Sequence, residues 1–329
     1  PSSSTRRDQK SSGKMRLTEI PQTAYSEAQR KFHADVVAAF GGVLKDDQPL
    51  PGPYKAFVLN PLVGNGHLRL RNTMRSKLRL GDALAEFAIV YTTRRARCQF
   101  ALNAHLKRAQ AAGVEGGKIE ALRKMERPTN MTPEEDAVFD LCADLNTRGP
   151  EPALSDAAYE KARGLIGEEG IFETAFLVGT YKSVAMVLNG FQIPTAPGDP
   201  DPLENAGGEA TPPLGPSLWG TEQRPRLPGI LPSKDPAYNT EEHHKFYDSL
   251  SKGLLGKNPE TGELGGPFNP FLLNPSVGRD VVSMIGTQLK EENLGVSSRC
   301  RSLVAIYTCG LAKARYFFFV CVCSSSSSA

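Results

Sequence analysis

The sequence is poor in the features that mark several broad classes of protein. Its 329 residues include only 6 Cys, scattered along the chain, and a single Trp. Disulfide-stapled secreted domains are short and rich in cysteine, so we expect reduced thiols and a cytoplasmic protein. The formal net charge of +3 argues, on charge alone, against a nucleic-acid-binding protein. The longest apolar run, residues 316–323, is far shorter than the roughly 18 residues of a membrane helix, so no membrane segment is expected.

Motifs that bind metals or cofactors are also missing. His243 and His244 are adjacent and would point to different faces of a helix, and no other spacing resembles a metal site. No glycine-rich phosphate loop is present. We therefore expect no metal and no cofactor. The basic run from 69 to 97 holds eight Arg and Lys; it is either a solvated face or a surface that attracts an anionic small-molecule substrate.

What the sequence does have is helical periodicity. Apolar residues recur at helical spacing in residues 24–40, and the segment from 85 to about 112 is predicted as one helix. Thr132 is predicted to begin a helix with a capping box, and Ser155 to begin another, short one. Residues 171–191 are apolar nearly all the way round, which predicts a further, buried helix. No segment of this region alternates with period two, so the predicted fold class is all-α.

A second pattern is an internal repeat. The stretches "GPYKAFVLNPLVGN" (52–65) and "GPFNPFLLNPSVGR" (266–279) share eight of 14 positions, with a period near 210 to 216. Between them, residues 194–236 hold 11 of the 25 Pro, which is typical of a linker. The predicted organisation is a disordered N-terminal tail (1–15), a complete helical unit (16–195), a Pro-rich linker (196–225), a truncated second unit (226–317) and an unstructured tail (318–329).

The second unit has no counterpart of residues 106–195, so its apolar face needs another cover. We expect its helices to lie against the first unit. Phe268 and Phe271 would then be buried, as Tyr54 and Phe57 should be in the first unit.

The stretch "AEFAIVYTTRRARCQFALNAH" (85–105) carries a carboxylate, a thiol and an imidazole on a largely apolar segment. In a continuous helix Cys98 and His105 share a face, whereas Glu86 lies about 120° away from Cys98. A break near 94–97 would change this and place Cys98 at a helix N-terminus, where the dipole and nearby Arg lower a thiol pKa. A carboxylate in an apolar helix needs a partner, and either His105 or an Arg would serve. A neutral imidazole suits acid–base chemistry near pH 7, whereas a Cys on an apolar helix is more often a packed core residue.

Several motifs, taken in order, resemble one known family. They are "GPYKAFVLNP", "AEFAIVYTTRRARCQF", "NAHLKRAQAAGV", "IEALRK" and the stretch from 155 to 194. Together they are similar to the carboxymuconolactone decarboxylase and alkylhydroperoxidase AhpD family, well over 16–195 and in part over 226–317. The resemblance implies an AhpD-like all-α unit, tandemly duplicated with a truncated second copy, that forms homo-oligomers.

The resemblance also assigns the three polar residues. The peroxidase branch of the family has Glu, eleven residues, Cys, two residues, Cys, three residues and His. Glu86, Cys98 and His105 match the Glu, the first Cys and the His, but Ala101 stands where the second, peroxide-attacking Cys belongs. In the decarboxylase-like branch, position 101 often carries an acidic residue, so Ala101 departs from both branches. The dithiol cycle of the peroxidases cannot run without the second Cys.

Three functions stay open at this point. The favoured one is a cofactor-free acid–base enzyme, decarboxylase-like or lyase-like, that acts on a small organic acid or lactone through Glu86 and His105. The second is a thiol-dependent hydroperoxide reductase (peroxiredoxin activity), with Cys98 cycling against an external thiol. The third is a non-catalytic oligomeric scaffold. The second unit is not expected to support chemistry, because its three matching positions are Ser302, Ala314 and Cys321.

Overall fold

The computed structural model describes residues 15–147, 154–195, 199–204, 227–252, 260–264, 268–289 and 304. Over these ranges the regular structure is helical, with no β-strand, so the predicted all-α class is confirmed. Two short 3-10 helices are present, η1 (Gln22–Ala24) and η2 (Pro236–Tyr238). The α-helices are α1 (Glu27–Ala39), α2 (Tyr54–Phe57), α3 (Pro61–Ser76), α4 (Asp82–Arg95), α5 (Gln99–Ala111), α6 (Gly116–Arg123), α7 (Pro133–Thr147), α8 (Asp156–Gly190), α9 (Glu241–Ser251), α10 (Phe268–Phe271) and α11 (Pro275–Leu289).

Helix starts follow the local sequence. Ser26 begins α1 with a capping box, in which its hydroxyl accepts from the Gln29 backbone and the Gln29 side chain accepts from the Ser26 backbone. Thr132 and Glu135 make the same reciprocal pair before α7, as predicted. Ser155 caps α8 in the predicted place. In each case a side-chain oxygen satisfies a backbone N–H of the first turn that has no partner within the helix.

The segment from 85 to 112 is two helices, so the prediction of one continuous helix is wrong and the alternative, a break near 94–97, is confirmed. α4 ends at Arg95, Arg97 takes a left-handed φ of 49°, and Cys98 is the N-cap of α5. A left-handed conformation costs a non-glycine residue about 1 to 2 kcal/mol, so local propensity gives no sign of this turn. The packing of α5 against α4 holds the chain in the reversal.

The two helices predicted near 156–165 and 171–191 are joined in α8, which is kinked where Gly167 has a φ of 69°. The apolar half of α8 packs along α4 and α7 and buries residues such as Phe172 and Leu177. By length and composition α8 is the one helix of the described residues that could cross a membrane, a test that the core helix of a soluble protein also passes.

Part of the predicted linker lies on the first unit. Asp199 accepts from Asn103 Nδ2 at 2.5 Å and from Lys107 Nζ at 2.8 Å, both on α5. Arg123 Nη1 donates to the backbone oxygen of Glu204 at 2.8 Å. The segment 199–204 therefore lies on the surface of α5 and α6, and the remainder of the linker, 196–198 and 205–225, lies outside the described residues.

The C-terminal helices repeat the order of the first ones. Arg69 on α3 and Ser283 on α11 are 214 residues apart and hydrogen-bonded at 3.3 Å. The same offset separates the starts of four pairs of elements: η1 and η2, α1 and α9, α2 and α10, and α3 and α11. Asn60 caps α3 and Asn274 caps α11, each through its Oδ1 to the backbone three residues later.

α11 packs against α3, and the contact continues to α8 through a buried carboxylate. Glu173 on α8 accepts from the backbone N–H groups of Arg79 and Leu80 and from Asn274 Nδ2, at 3.1, 2.9 and 2.9 Å. Its side chain is fully buried. The end of α3, the middle of α8 and the start of α11 are thus tied together at one residue.

The aromatic residues that we expected to be buried in both units lie in apolar clusters. Tyr54, Phe57 and Phe271 are buried, whereas Phe268 is half-buried. Phe271 packs edge-on against Phe176 of α8, with ring centroids 5.5 Å apart. The matching site positions of the second unit, Ser302, Ala314 and Cys321, lie outside the described residues, as do the tails 1–14 and 305–329.

Candidate active site

A cavity of about 410 Å³ lies between α2, α3, α4, α5 and α8. Most of its wall is aromatic and aliphatic, and a few polar side chains face into it, as in binding sites for small organic molecules. The polar side chains include Arg71, Arg75, Glu86, His105, Arg108 and Tyr181.

Glu86 on α4 and His105 on α5 meet in this wall. Glu86 Oε2 and His105 Nδ1 are 2.5 Å apart, although 19 residues separate them in sequence. On one continuous helix such a separation would place them about 28 Å apart along the axis. The reversal at Arg97 is therefore what creates the pair. Two of the three site residues predicted from sequence are brought together.

Hydrogen bonds fix the protonation of the His105 ring. Arg108 Nη1 lies 3.2 Å from His105 Nε2, and because arginine can only donate, Nε2 is the acceptor. Nδ1 then carries the proton and donates to Glu86. Burial lowers the pKa of His105 below its ordinary value of 6.5, and the hydrogen bond to Glu86 opposes this only in part. The imidazole is therefore neutral at pH 7, with Nε2 as a potential base.

Tyr181 on α8 adds a proton donor beside the pair. Its ring stands edge-on to that of His105, with centroids 4.8 Å apart. Burial raises the pKa of the phenol above its ordinary value, and the charge of Glu86 raises it further. The hydroxyl therefore stays protonated, and among the described residues it has no hydrogen-bond partner. It is available to donate to an oxygen of a bound molecule.

Cys98 lies outside the cavity wall and away from this pair. Its side chain is 1 % exposed and packs among apolar residues that include Leu17, Ala185 and Leu188. Burial raises the pKa of its thiol to about 11. The expectation that this pKa is lowered at the helix N-terminus is wrong, because burial outweighs the hydrogen bond from the Ala101 backbone. About one thiol in ten thousand would be ionised at pH 7, which makes Cys98 a poor nucleophile.

Ala101, the residue that departs from both family patterns, lines the cavity together with Ala104. Both lie on α5, between Cys98 and His105. Their methyl groups present no titratable atom, so this part of the wall contributes volume rather than chemistry.

Sequence reasoning missed Arg108 and Tyr181, and it did not separate Arg71 and Arg75 from the rest of the basic run. The spacing of four between Arg71 and Arg75 places them on one helix face, which was a usable signal. Tyr181 lies in an apolar helix, and nothing in its local sequence distinguishes it from a core tyrosine.

Over the part of the chain that the structure describes, no group of three His, Cys, Asp or Glu residues could hold a metal ion. No protein-family model, curated protein or solved structure matches the chain. The function must therefore be argued from the chemistry of the cavity.

Proposed function

We propose that the protein is a cofactor-free acid–base enzyme that acts on a small organic acid or lactone, in the manner of carboxymuconolactone decarboxylase-like proteins. The observation that carries the proposal is the chain of hydrogen bonds from Glu86 through His105 to Arg108 in the wall of the cavity. A carboxylate that orients an imidazole, with the second ring nitrogen facing the reaction space, is a recurrent arrangement for general bases.

In the proposed reaction, His105 Nε2 takes a proton from a carbon next to the substrate carbonyl. The electron pair of the broken C–H bond moves onto the carbonyl oxygen, which accepts a hydrogen bond from the protonated phenol of Tyr181. Glu86 stabilises the imidazolium that forms. His105 then returns the proton to the substrate, at the same carbon or at another one, so no external reactant is consumed.

Hydrogen exchange tests this proposal and does not require the natural substrate. A panel of small lactones and carbonyl acids is incubated with the protein in D₂O, and loss of the proton next to the carbonyl is followed by NMR. Exchange of at least one compound should fall by about 10² to 10⁴ in His105→Gln, the usual contribution of a general base. Cys98→Ser is the matched control and should exchange at the wild-type rate. Equal rates in wild type and His105→Gln would rule out His105 as the base.

We also propose that the enzyme is cytoplasmic and forms a homo-oligomer. Free thiols at Cys98 and Cys142 suit a reducing cytoplasm. Large apolar side chains such as Val43, Leu62 and Met186 are exposed, Met186 to 73 %, and suit a homo-oligomer of AhpD-like units. Sedimentation of a folded monomer at micromolar concentration would exclude the oligomer.

A further inference from the structure

Three arginines face the cavity without a carboxylate partner among the described residues. Arg71 lies over the Phe40 ring, 4.9 Å from its centroid, and donates only to Asn72. Arg108 donates to the His105 ring. Arg75 makes no hydrogen bond or ion pair to any described residue. Outside the cavity, Arg79, Arg123 and Arg127 pair with acidic residues, whereas Arg69 donates to the Ser283 hydroxyl.

The three guanidinium groups affect the pKa values of the same neighbouring side chains. Each of them lowers the pKa of the Tyr54 phenol against the dominant effect of burial, which raises it. Arg75 and Arg108 also depress the pKa of Arg71, in addition to burial. Like charges that crowd a half-buried cavity repel one another, so this arrangement favours an anion between them.

The second unit provides an internal comparison for these positions. Packing residues are kept at the 214-residue offset: Gly64 lies against the ring of Phe32, and Gly278 against the ring of Phe246, with a Cβ at either glycine 2.8 Å from the ring. The polar cavity residues of α2 and α3 are not kept. Tyr54, His67, Arg71 and Arg75 become, at the same offset, Phe268, Val281, Ile285 and Leu289.

The comparison of α3 with α11 distinguishes the residues that serve packing from the residues that line the cavity. The glycine and its aromatic neighbour serve the packing that both units share, whereas the arginines occur only in the unit that has the cavity. At the positions of Arg71 and Arg75, helix α11, which begins with the same Asn-Pro cap, has apolar residues instead, and Ile285 packs against the main apolar cluster.

We propose that Arg71, Arg75 and Arg108 bind the carboxylate of a small organic monoanion, in the same cavity that the proposed function assigns to acid–base chemistry. Guanidinium groups match a carboxylate geometrically, with paired N–H donors. The three positive charges face the negative charges of Glu86 and Asp82, and His105 is neutral, which leaves one net positive charge for the ligand. A phosphate dianion would leave the site with a net negative charge.

Arg108 links this subsite to the base. Its guanidinium donates to His105 Nε2, the atom that must accept the substrate proton. A carboxylate bound to Arg108 competes for those N–H groups and frees Nε2. Ligand binding should therefore raise the pKa of His105, because it removes a donor from Nε2 and adds a negative charge nearby.

Binding measurements with benzoate, its neutral analogue benzamide and inorganic phosphate test the subsite. Benzoate should bind in the millimolar range or tighter by titration calorimetry, and benzamide at least about tenfold more weakly. Arg71→Gln and Arg75→Gln should each weaken benzoate binding about tenfold. Lys77→Gln, which removes an exposed positive charge from the end of the same helix, is the matched control and should leave binding unchanged. Benzoate should also raise the pKa of His105 in an NMR titration.

Any one of four results would overturn the proposed subsite. Two of them are the failure of benzoate to bind at millimolar concentration and the binding of benzamide as tightly as benzoate. The other two are wild-type binding of benzoate in Arg75→Gln and phosphate that outcompetes benzoate. The test is independent of catalysis. His105→Gln should keep benzoate binding, so wild-type exchange in His105→Gln together with arginine-dependent benzoate binding would refute the proposed function alone.

Discussion

The carboxylate of Glu173 should be among the most important single groups for the stability of the fold. It accepts three hydrogen bonds, from two backbone N–H groups after α3 and from the Asn274 side chain that caps α11. Glu173→Ala removes the acceptor and leaves the Leu80 N–H and one N–H of the Asn274 amide buried without a partner. The other N–H of Asn274 still donates to the Lys77 backbone oxygen, at 3.1 Å. Arg79 is exposed, so water can replace Glu173 at its backbone N–H.

The magnitude follows from these two buried donors. A buried donor that loses its partner costs roughly 1 to 3 kcal/mol, so the two together cost about 2 to 6 kcal/mol. This is a large share of the roughly 5 to 15 kcal/mol by which domains are stable. Glu173→Gln keeps the volume and one oxygen but turns an NH₂ group towards a donor, so it should be intermediate.

Urea unfolding measured by circular dichroism gives the free energies directly. Glu160→Ala is the matched control: it removes a carboxylate from the same helix, but one that is exposed and paired only with the exposed Arg163, so stability should hardly change. If Glu173→Ala lies within about 0.5 kcal/mol of wild type, water reaches these donors and the buried connection between the two units is wrong.

Three further outcomes follow from the packing and the charges. Cys98→Ser should leave any hydroperoxide consumption with dithiothreitol unchanged, because the thiol is buried with its pKa raised to about 11; loss of such activity would contradict this. Gly64→Ala and Gly278→Ala should each destabilise by roughly 1 to 3 kcal/mol, since the new methyl group meets an aromatic ring, whereas Gly179→Ala on α8 meets nothing and should be neutral or stabilising in urea unfolding. Below about pH 6.5 the wild type should lose stability faster than His105→Gln, because the lowered pKa of His105 means that the unfolded chain binds a proton that the folded chain does not; parallel stability curves for the two proteins would refute this.

Local signals predicted the helix starts, and tertiary contacts decided the site. Thr132 and Ser155 could be assigned from sequence because capping depends on residues three positions apart. The turn at Arg97 could be raised only as an alternative, since no Gly or Pro marks it and the left-handed backbone is held by packing between α4 and α5. Without that turn, the pairing of Glu86 with His105 does not follow from any helical spacing.

The sequence also did not predict which of the candidate site residues are buried. Cys98 occupies a helix N-terminus, where a dipole argument predicts a reactive thiol, but the neighbours that desolvate it come from residues before α1 and from the end of α8. Arg71 and Arg75 belong to a run that sequence allows to be a solvated basic face. In the structure Arg71 is half-buried and Arg75 is exposed, and both line the cavity that α5 and α8 complete.

The most direct test of the proposed site is a ¹⁵N NMR titration of the histidine side chains, with His105 assigned by its absence in His105→Gln. We expect an Nδ1-protonated tautomer and a pKa below 6.5. We also expect Glu86→Gln to lower this pKa further, because the carboxylate is the partner that favours the imidazolium. A His105 protonated on Nε2, a pKa at or above 6.5, or a pKa unaffected by Glu86→Gln would contradict the assignment of Glu86 and His105 as a coupled proton-transfer pair.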